Sequence, residues 1–165
     1  MPFAPWANPV ASPYWFLAFC PPQLWDRERR TWGYELDFVS VLGGRTVVKS
    51  VAIKRSNGFL LTNVAALVTT DQNPPVLIFG SGFNANGLQP SNFLMQLTAT
   101  KRKYDLFSLP VPLDNVCGAG SMSPGIPVPL YLEAGEVLNV QMQSLWPASN
   151  TNRTVRLTLG GLIFV

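Results

Sequence analysis

A chain of 165 residues with 47% apolar but only 13% charged side chains is long enough to bury one core, yet carries about half the usual charged share of roughly a quarter. Its 12 basic and 9 acidic residues leave a net charge of +3, and the dense basic runs, Arg27-Glu28-Arg29-Arg30 and Lys101-Arg102-Lys103, are too short for the broad basic stripe of a nucleic-acid binder. With no histidine at all, the usual zinc sites, the Ser-His-Asp triad and the Cys-His pair cannot be built, and no apolar stretch reaches the ~18 residues that a membrane-spanning helix needs.

A small charged fraction is expected where much of the surface meets other protein, because interface cores are depleted in Lys, Glu and Asp. The alternative is a neutral β-protein coated with Ser, Thr, Asn and Gln. Tyr104 and Phe107 follow the second basic run, so stacking on nucleic acid has some basis there, but a solvated loop is the plainer reading and nucleic acid is not expected as a partner. Cys20 and Cys117 are far apart and sit in no ligand spacing, which reads as two core thiols. The N-terminus lacks the basic region of a secretory signal, so assembly in a cytoplasm is expected, and the sequon Asn152-Arg153-Thr154 is taken as chance.

Residues 1–25 contain no charge, six prolines (2, 5, 9, 13, 21 and 22) and a dense set of aromatics that includes Phe3, Trp6, Tyr14, Trp15, Phe16, Phe19 and Trp25. Repeated prolines fix φ and remove amide donors, which disfavours regular helix and predicts an extended arm, separate from a β-domain over 26–165. Such a segment must lay its aromatics along its own domain or along a neighbour. Trp and Tyr dominate interface hot spots, so Trp6, Tyr14, Trp15, Phe16 and Trp25 are the candidate partner-contacting residues.

After a charged knot at 26–30, Tyr34, Leu36 and Phe38 alternate with Glu35 and Asp37, predicting a strand with one wet face. Leu42-Gly43-Gly44 signals a turn, and the β-branched residues of 45–54 predict a second strand paired to the first as a hairpin. Asn57-Gly58 marks a further hairpin turn. Residues 59–70 fit either a helical face or a strand, and their strand neighbours favour the strand. Pro74-Pro75 precedes a short buried strand at 76–79, and 80–90 reads as an exposed loop. Its Gly80-Ser81-Gly82 lacks the following Lys and helix of a phosphate cradle. Phe93, Met95 and Leu97 alternate with Leu94, Gln96 and Thr98 in another strand, 106–109 is expected to continue after a turn, and 110–129 is a Gly/Pro/Ser-rich connection. In 136–144 the residues Leu138, Val140 and Met142 alternate with Asn139, Gln141 and Gln143, and Val155, Leu157 and Leu159 alternate with Thr154, Arg156 and Thr158. With the polar loop between them, these are expected to form a hairpin. No convincing helix is found. Around eight strands with frequent turns predict an all-β, antiparallel two-sheet sandwich, jelly-roll-like, with a closed barrel as the alternative.

Carboxylates are paired at Glu35 with Asp37 and at Glu133 with Glu136. The first pair shares a strand face at about the separation of glycosidase carboxyls, but beside Tyr34, Leu36 and Phe38 it reads as a solvated face, and the second flanks a tight turn where acids are expected to point to water. No clustered oxygen ligands for calcium occur. The chain is therefore expected to be no enzyme, with no metal and no cofactor.

The closing pattern from Pro129-Leu130-Tyr131-Leu132 through Glu133-Ala134-Gly135 to Val155-Arg156-Leu157-Thr158-Leu159-Gly160-Gly161-Leu162-Ile163-Phe164 resembles small β-sandwich virion proteins of tailed bacteriophages. The uncharged arm is similar to the extended arms of phage head proteins. The resemblance implies a capsid decoration or cement protein found in the virion, partnered by the major capsid protein or other virion proteins, and homo-oligomeric, a trimer being one option. A tail, neck or fibre component that binds a carbohydrate or receptor is the alternative. No specific binding residue is carried over by it.

Overall fold

The computed structural model describes residues 15–54, 57–80, 90–101, 104–117, 126, 128–147 and 152–165. Alternation in sequence becomes alternation in burial. In β9 (Val137–Ser144) the side chains of Leu138, Val140 and Met142 are fully buried while Asn139, Gln141 and Gln143 face outward. The same period of two runs through β1 (Arg29–Val41), β3 (Phe59–Thr70), β5 (Phe93–Ala99) and β10 (Arg153–Phe164), and residues 59–70 are thus strand rather than helix.

Two antiparallel sheets pack face to face. The first has the order β1-β10-β3-β4, with β4 at Leu77–Gly80 and β8 (Leu130–Leu132) also pairing β3; the second has the order β2-β9-β5-β6, with β2 at Thr46–Ala52, β6 at Tyr104–Asp105, and β7 (Val111–Pro112) also pairing β5. The chain changes sheet between β1 and β2, β2 and β3, β4 and β5, and again on each step from β7 to β10. Successive strands that face each other across the core, rather than lying side by side, are the wrapped double Greek key of a jelly roll.

That topology overturns three expected pairings. β1 pairs β10 and β2 pairs β9, so no β1–β2 hairpin forms, and β9 and β10 lie in opposite sheets. Asn57-Gly58 makes an arch between sheets, with Gly58 at φ 84°. The turn chemistry was sound, because a positive φ serves an arch as well as a hairpin. Strand length supplies the missing discriminator: β1, β3 and β10 hold 13, 12 and 12 residues and pair together, whereas β2, β9 and β5 hold 7, 8 and 7 and form the other sheet. Residues 106–109 form bends instead of a strand, and one short helix, α1 (Leu113–Cys117), interrupts the Pro-rich connection and buries Leu113, Val116 and Cys117.

Between the sheets lie Phe38, Phe59, Leu61, Val64, Val68, Phe93, Met95, Leu97, Leu138, Val140, Met142, Val155, Leu157 and Leu159. One irregularity controls what happens outside. The β3–β10 register slips where Gly160 faces Asn63 and Gly161 faces Leu61, so Thr62 is an extra residue on β3. Such a bulge reverses the inside-outside parity of the strand. Val64, Ala66 and Val68 point inward on one side of it, Phe59 and Leu61 on the other, and Leu60 is turned to the outer face. Glycine is required there, since a Cβ on Gly161 would lie 1.9 Å from the Leu60 carbonyl oxygen.

Candidate interaction surface

Leu60 and Phe164, both turned out of the main core, form an apolar floor on the outer face of the first sheet. The end of the uncharged N-terminal segment covers it. Leu17, Cys20 and Leu24 recur at spacings of three and four, and two 3-10 turns, Trp15–Phe19 and Pro22–Leu24, put all three on this floor. The turns close through Cys20 N–H to Leu17 O at 3.0 Å and Leu24 N–H to Pro21 O at 3.0 Å, and Pro22 sits at a helix start where no amide is needed. For residues 15–25 the expected extended path is thus replaced by two turns, because burying Leu17 and Leu24 contributes about 1.5–3 kcal/mol each.

The surrounding bonds fix this patch in place. Trp25 Nε1 donates to Cys20 O at 3.3 Å, and Arg29 Nη1 donates to Trp25 O at 3.1 Å. Asn57 Nδ2 donates to Phe164 O at 3.2 Å, Tyr131 Oη donates to Asn57 O at 3.0 Å, and Val165 N–H donates to Glu28 O at 2.9 Å. Burial pushes the Cys20 thiol up to about 12, with Arg29 pulling weakly the other way, so it is a neutral packing group at ordinary pH.

What the turn presents to solvent is aromatic. Trp15 is 46% and Phe19 39% exposed, with their rings edge to face at 6.1 Å, and Phe16 stands edge-on to Trp15 at 6.4 Å. Phe16 and Trp25 are half-buried against the floor. Of the five candidate contact residues, Trp15 is therefore the exposed one among the described residues, Phe16 and Trp25 pack on the floor, and Trp6 and Tyr14 lie outside the described residues. Phe19, exposed beside Trp15, is not among those five; its place one turn after Trp15 is the sequence signal for its exposure.

The paired carboxylates are held in other ways. Asp37 lies directly opposite Arg156 on β10 and accepts from its Nε at 2.9 Å and its Nη2 at 3.4 Å, and this pairing raises the arginine's pKa, the hydrogen bond first and the charge second. Glu35, exposed, is on the same face. Glu133 pairs with Lys101 at the surface. Glu136 corrects the expectation that both turn acids point to water: it is 1% exposed, and its Oε2 accepts the Glu133 N–H at 2.9 Å, closing the Gly135 turn. Among the described residues no group of three or more His, Cys, Asp or Glu side chains could hold a metal, and no helix is long and apolar enough to cross a membrane. The loop at 81–89 and residues 102–103 lie outside the described residues.

A second polar cluster ties the opposite end together. Asp114 accepts the Ser91 N–H through both carboxylate oxygens at 3.1 and 3.2 Å, Trp146 Nε1 donates to Ser91 O at 2.9 Å, and the guanidinium of Arg153 lies 4.8 Å from the Trp146 ring centre. This is a cation–π brace between the two sheets, joining the ends of β5, β9 and β10. Compared with known proteins, the chain matches no family model, no curated protein and no solved structure.

Proposed function

We infer that this chain is a non-enzymatic structural protein of a virion, a decoration or cement protein that stabilises an assembled shell through the aromatic turn at its N-terminal end. The observation that carries the reading is that turn: Trp15 and Phe19 stand exposed on a segment with no charge, over a floor of Leu17, Cys20, Leu24, Leu60 and Phe164 that keeps them from collapsing inward. Rigid aromatics already held in position lose little freedom on docking, which is the property of an interface anchor. A partner that engages only the assembled lattice stabilises it by mass action, and many copies multiply a modest contact. The jelly-roll topology supports the reading by fold-level analogy, since capsid domains are among the proteins that use it.

Retention of the protein on assembled particles is the test. Replacing Trp15 and Phe19 together by alanine is expected to reduce retention at least about thirty-fold, the effect of losing one hot spot of about 2 kcal/mol. Undiminished retention removes the turn from the mechanism. A second reading, a tail or fibre module that binds carbohydrate, is favoured by the outer face of the second sheet, where Gln141, Gln143, Asn139, Ser50 and Thr98 place amides and hydroxyls in adjacent rows. Glycan binding that survives Gln141→Ala and Asn139→Ala, or no glycan binding at all, dismisses that alternative.

A further inference from the structure

β1 is an edge strand, paired among the described residues with β10 alone. Two bonds fix which of its backbone groups face the open side. Val165 N–H reaches Glu28 O on the β10 side, whereas Lys49 Nζ reaches Asp37 O from β2 on the other side. Backbone direction alternates along a strand, so even-numbered residues bond inward to β10 and Thr31, Gly33 and Glu35 turn their N–H and C=O outward. The second half of this edge is closed at Asp37 by Lys49, and Lys54 N–H donates to Tyr34 Oη beside it. Residues 30–33 are exposed, and Trp32, 36% exposed, stands edge-on to Tyr34 at 6.3 Å. No described strand pairs with this stretch of the edge, and an edge of that kind with an aromatic beside it is a template for another strand.

We propose that residues 29–35 of β1 pair antiparallel with the same stretch of a second copy, about a two-fold axis passing through Trp32. Only this centre satisfies three features together. Thr31 then meets Gly33 of the partner subunit, and both are outward-bonding residues, so each such pair exchanges two hydrogen bonds. Arg29 meets Glu35 of the partner subunit, which sets the basic start of the strand against its acidic continuation, twice per dimer. Trp32 meets its own copy at a non-hydrogen-bonded position, where opposing side chains approach most closely and aromatic pairs stabilise best. Lys49 ends the pairing, since the next outward carbonyl, that of Asp37, is already taken. The contact is isologous and closes on itself, giving one continuous sheet across two molecules. It stands apart from the virion reading, because it needs no particle.

The test reads register directly. Trp32→Cys is expected to form a disulfide-linked dimer on mild oxidation, since opposed non-hydrogen-bonded positions bring Cβ atoms to about 4.5–5.5 Å, and the native Cys20 and Cys117 are buried and do not compete. Gly33→Cys alone is not expected to cross-link, whereas Thr31→Cys with Gly33→Cys is. In sedimentation the unaltered chain is expected to be a dimer, and Gly33→Pro is expected to lose it. That proline takes no bond from β10, and a Cβ at Gly33 meets only Thr158 Cγ2 at 3.5 Å and Leu159 O at 3.9 Å, so the monomer keeps its fold, checked by circular dichroism. Cross-linking of Trp32→Cys no greater than that of Val48→Cys on the opposite sheet, or a dimer indifferent to Gly33→Pro, overturns the proposal.

Discussion

The two outer faces of this sandwich are built on opposite plans. On the first sheet, the rows Glu35, Thr158, Ala65 and Asp37, Arg156, Leu67 carry charges, and where the β3 bulge turns Leu60 outward the face becomes an apolar floor under residues 15–25. On the second sheet, the rows Thr46, Gln143, Leu94; Val48, Gln141, Gln96; and Ser50, Asn139, Thr98 carry one charge, Asp105 at the end of the third, and neighbouring side chains bond to one another, as Ser50 Oγ does to Asn139 Oδ1 at 2.6 Å and Thr98 Oγ1 to Asp105 Oδ1 at 2.6 Å. One face needs a cover made from the same chain. The other is finished by its own side chains. The difference teaches that a single inserted residue, Thr62, decides which face carries a docked segment and hence where the exposed aromatics stand.

The largest way to break this asymmetry is to remove its floor. Leu17→Ala is expected to cost about 2–5 kcal/mol in denaturant unfolding and to expose 15–25 to proteolysis, while Gln141→Ala on the other face stays within about 0.5 kcal/mol. A Leu17→Ala protein with unchanged stability would mean that the cover contributes nothing. Gly161→Ala attacks the bulge itself. With its Cβ directed at the Leu60 carbonyl, a loss of about 1–3 kcal/mol is expected, together with a changed environment for Trp25 fluorescence.

A finer probe is the buried thiol under the cover. In the fold Cys20 keeps its proton until about 12, while in the unfolded chain it ionises near its ordinary value of 9.0. Between those values the native state binds more protons, so stability is full below the lower value and falls as pH rises towards the upper one. The difference between the unaltered chain and Cys20→Ala, measured by denaturant midpoint from pH 8 to 11, is expected to shrink as pH rises, and a constant difference would place Cys20 in contact with water. The smallest effect belongs to the charged rows: Asp37→Asn is expected to change stability by about 0–1 kcal/mol, disappearing in high salt, because the pair with Arg156 is solvent-exposed.

These contrasts also explain what was legible in the sequence. Alternation such as Leu138-Asn139-Val140-Gln141-Met142 reports a strand and its buried face, because burial follows backbone parity residue by residue, and the two-sheet, all-β architecture followed from it. Partner strands did not, since Gly58 and Gly44 supply the same positive φ whether the next strand lies beside or opposite. In the candidate site, the aromatic richness of 1–25 marked the segment whose end carries the exposed Trp15 and Phe19. The spacing of Leu17, Cys20 and Leu24, which decides that Trp15 faces out and Phe16 packs on the floor, is obscured by the surrounding prolines, which disfavour regular helix. The floor beneath was illegible, because Leu60 is outward only through a slip in register that no periodicity within β3 announces.

β10 occupies an interior place in the first sheet, flanked by β1 and β3, and among the described residues it is the strand made last. During synthesis its two neighbours emerge long before it, each holding half a ladder of main-chain groups with nothing to receive them. The first sheet gains its interior strand only when β10 inserts between them, so the two edges that receive it stay open until then and are the stretch of the nascent fold most exposed to wrong pairing.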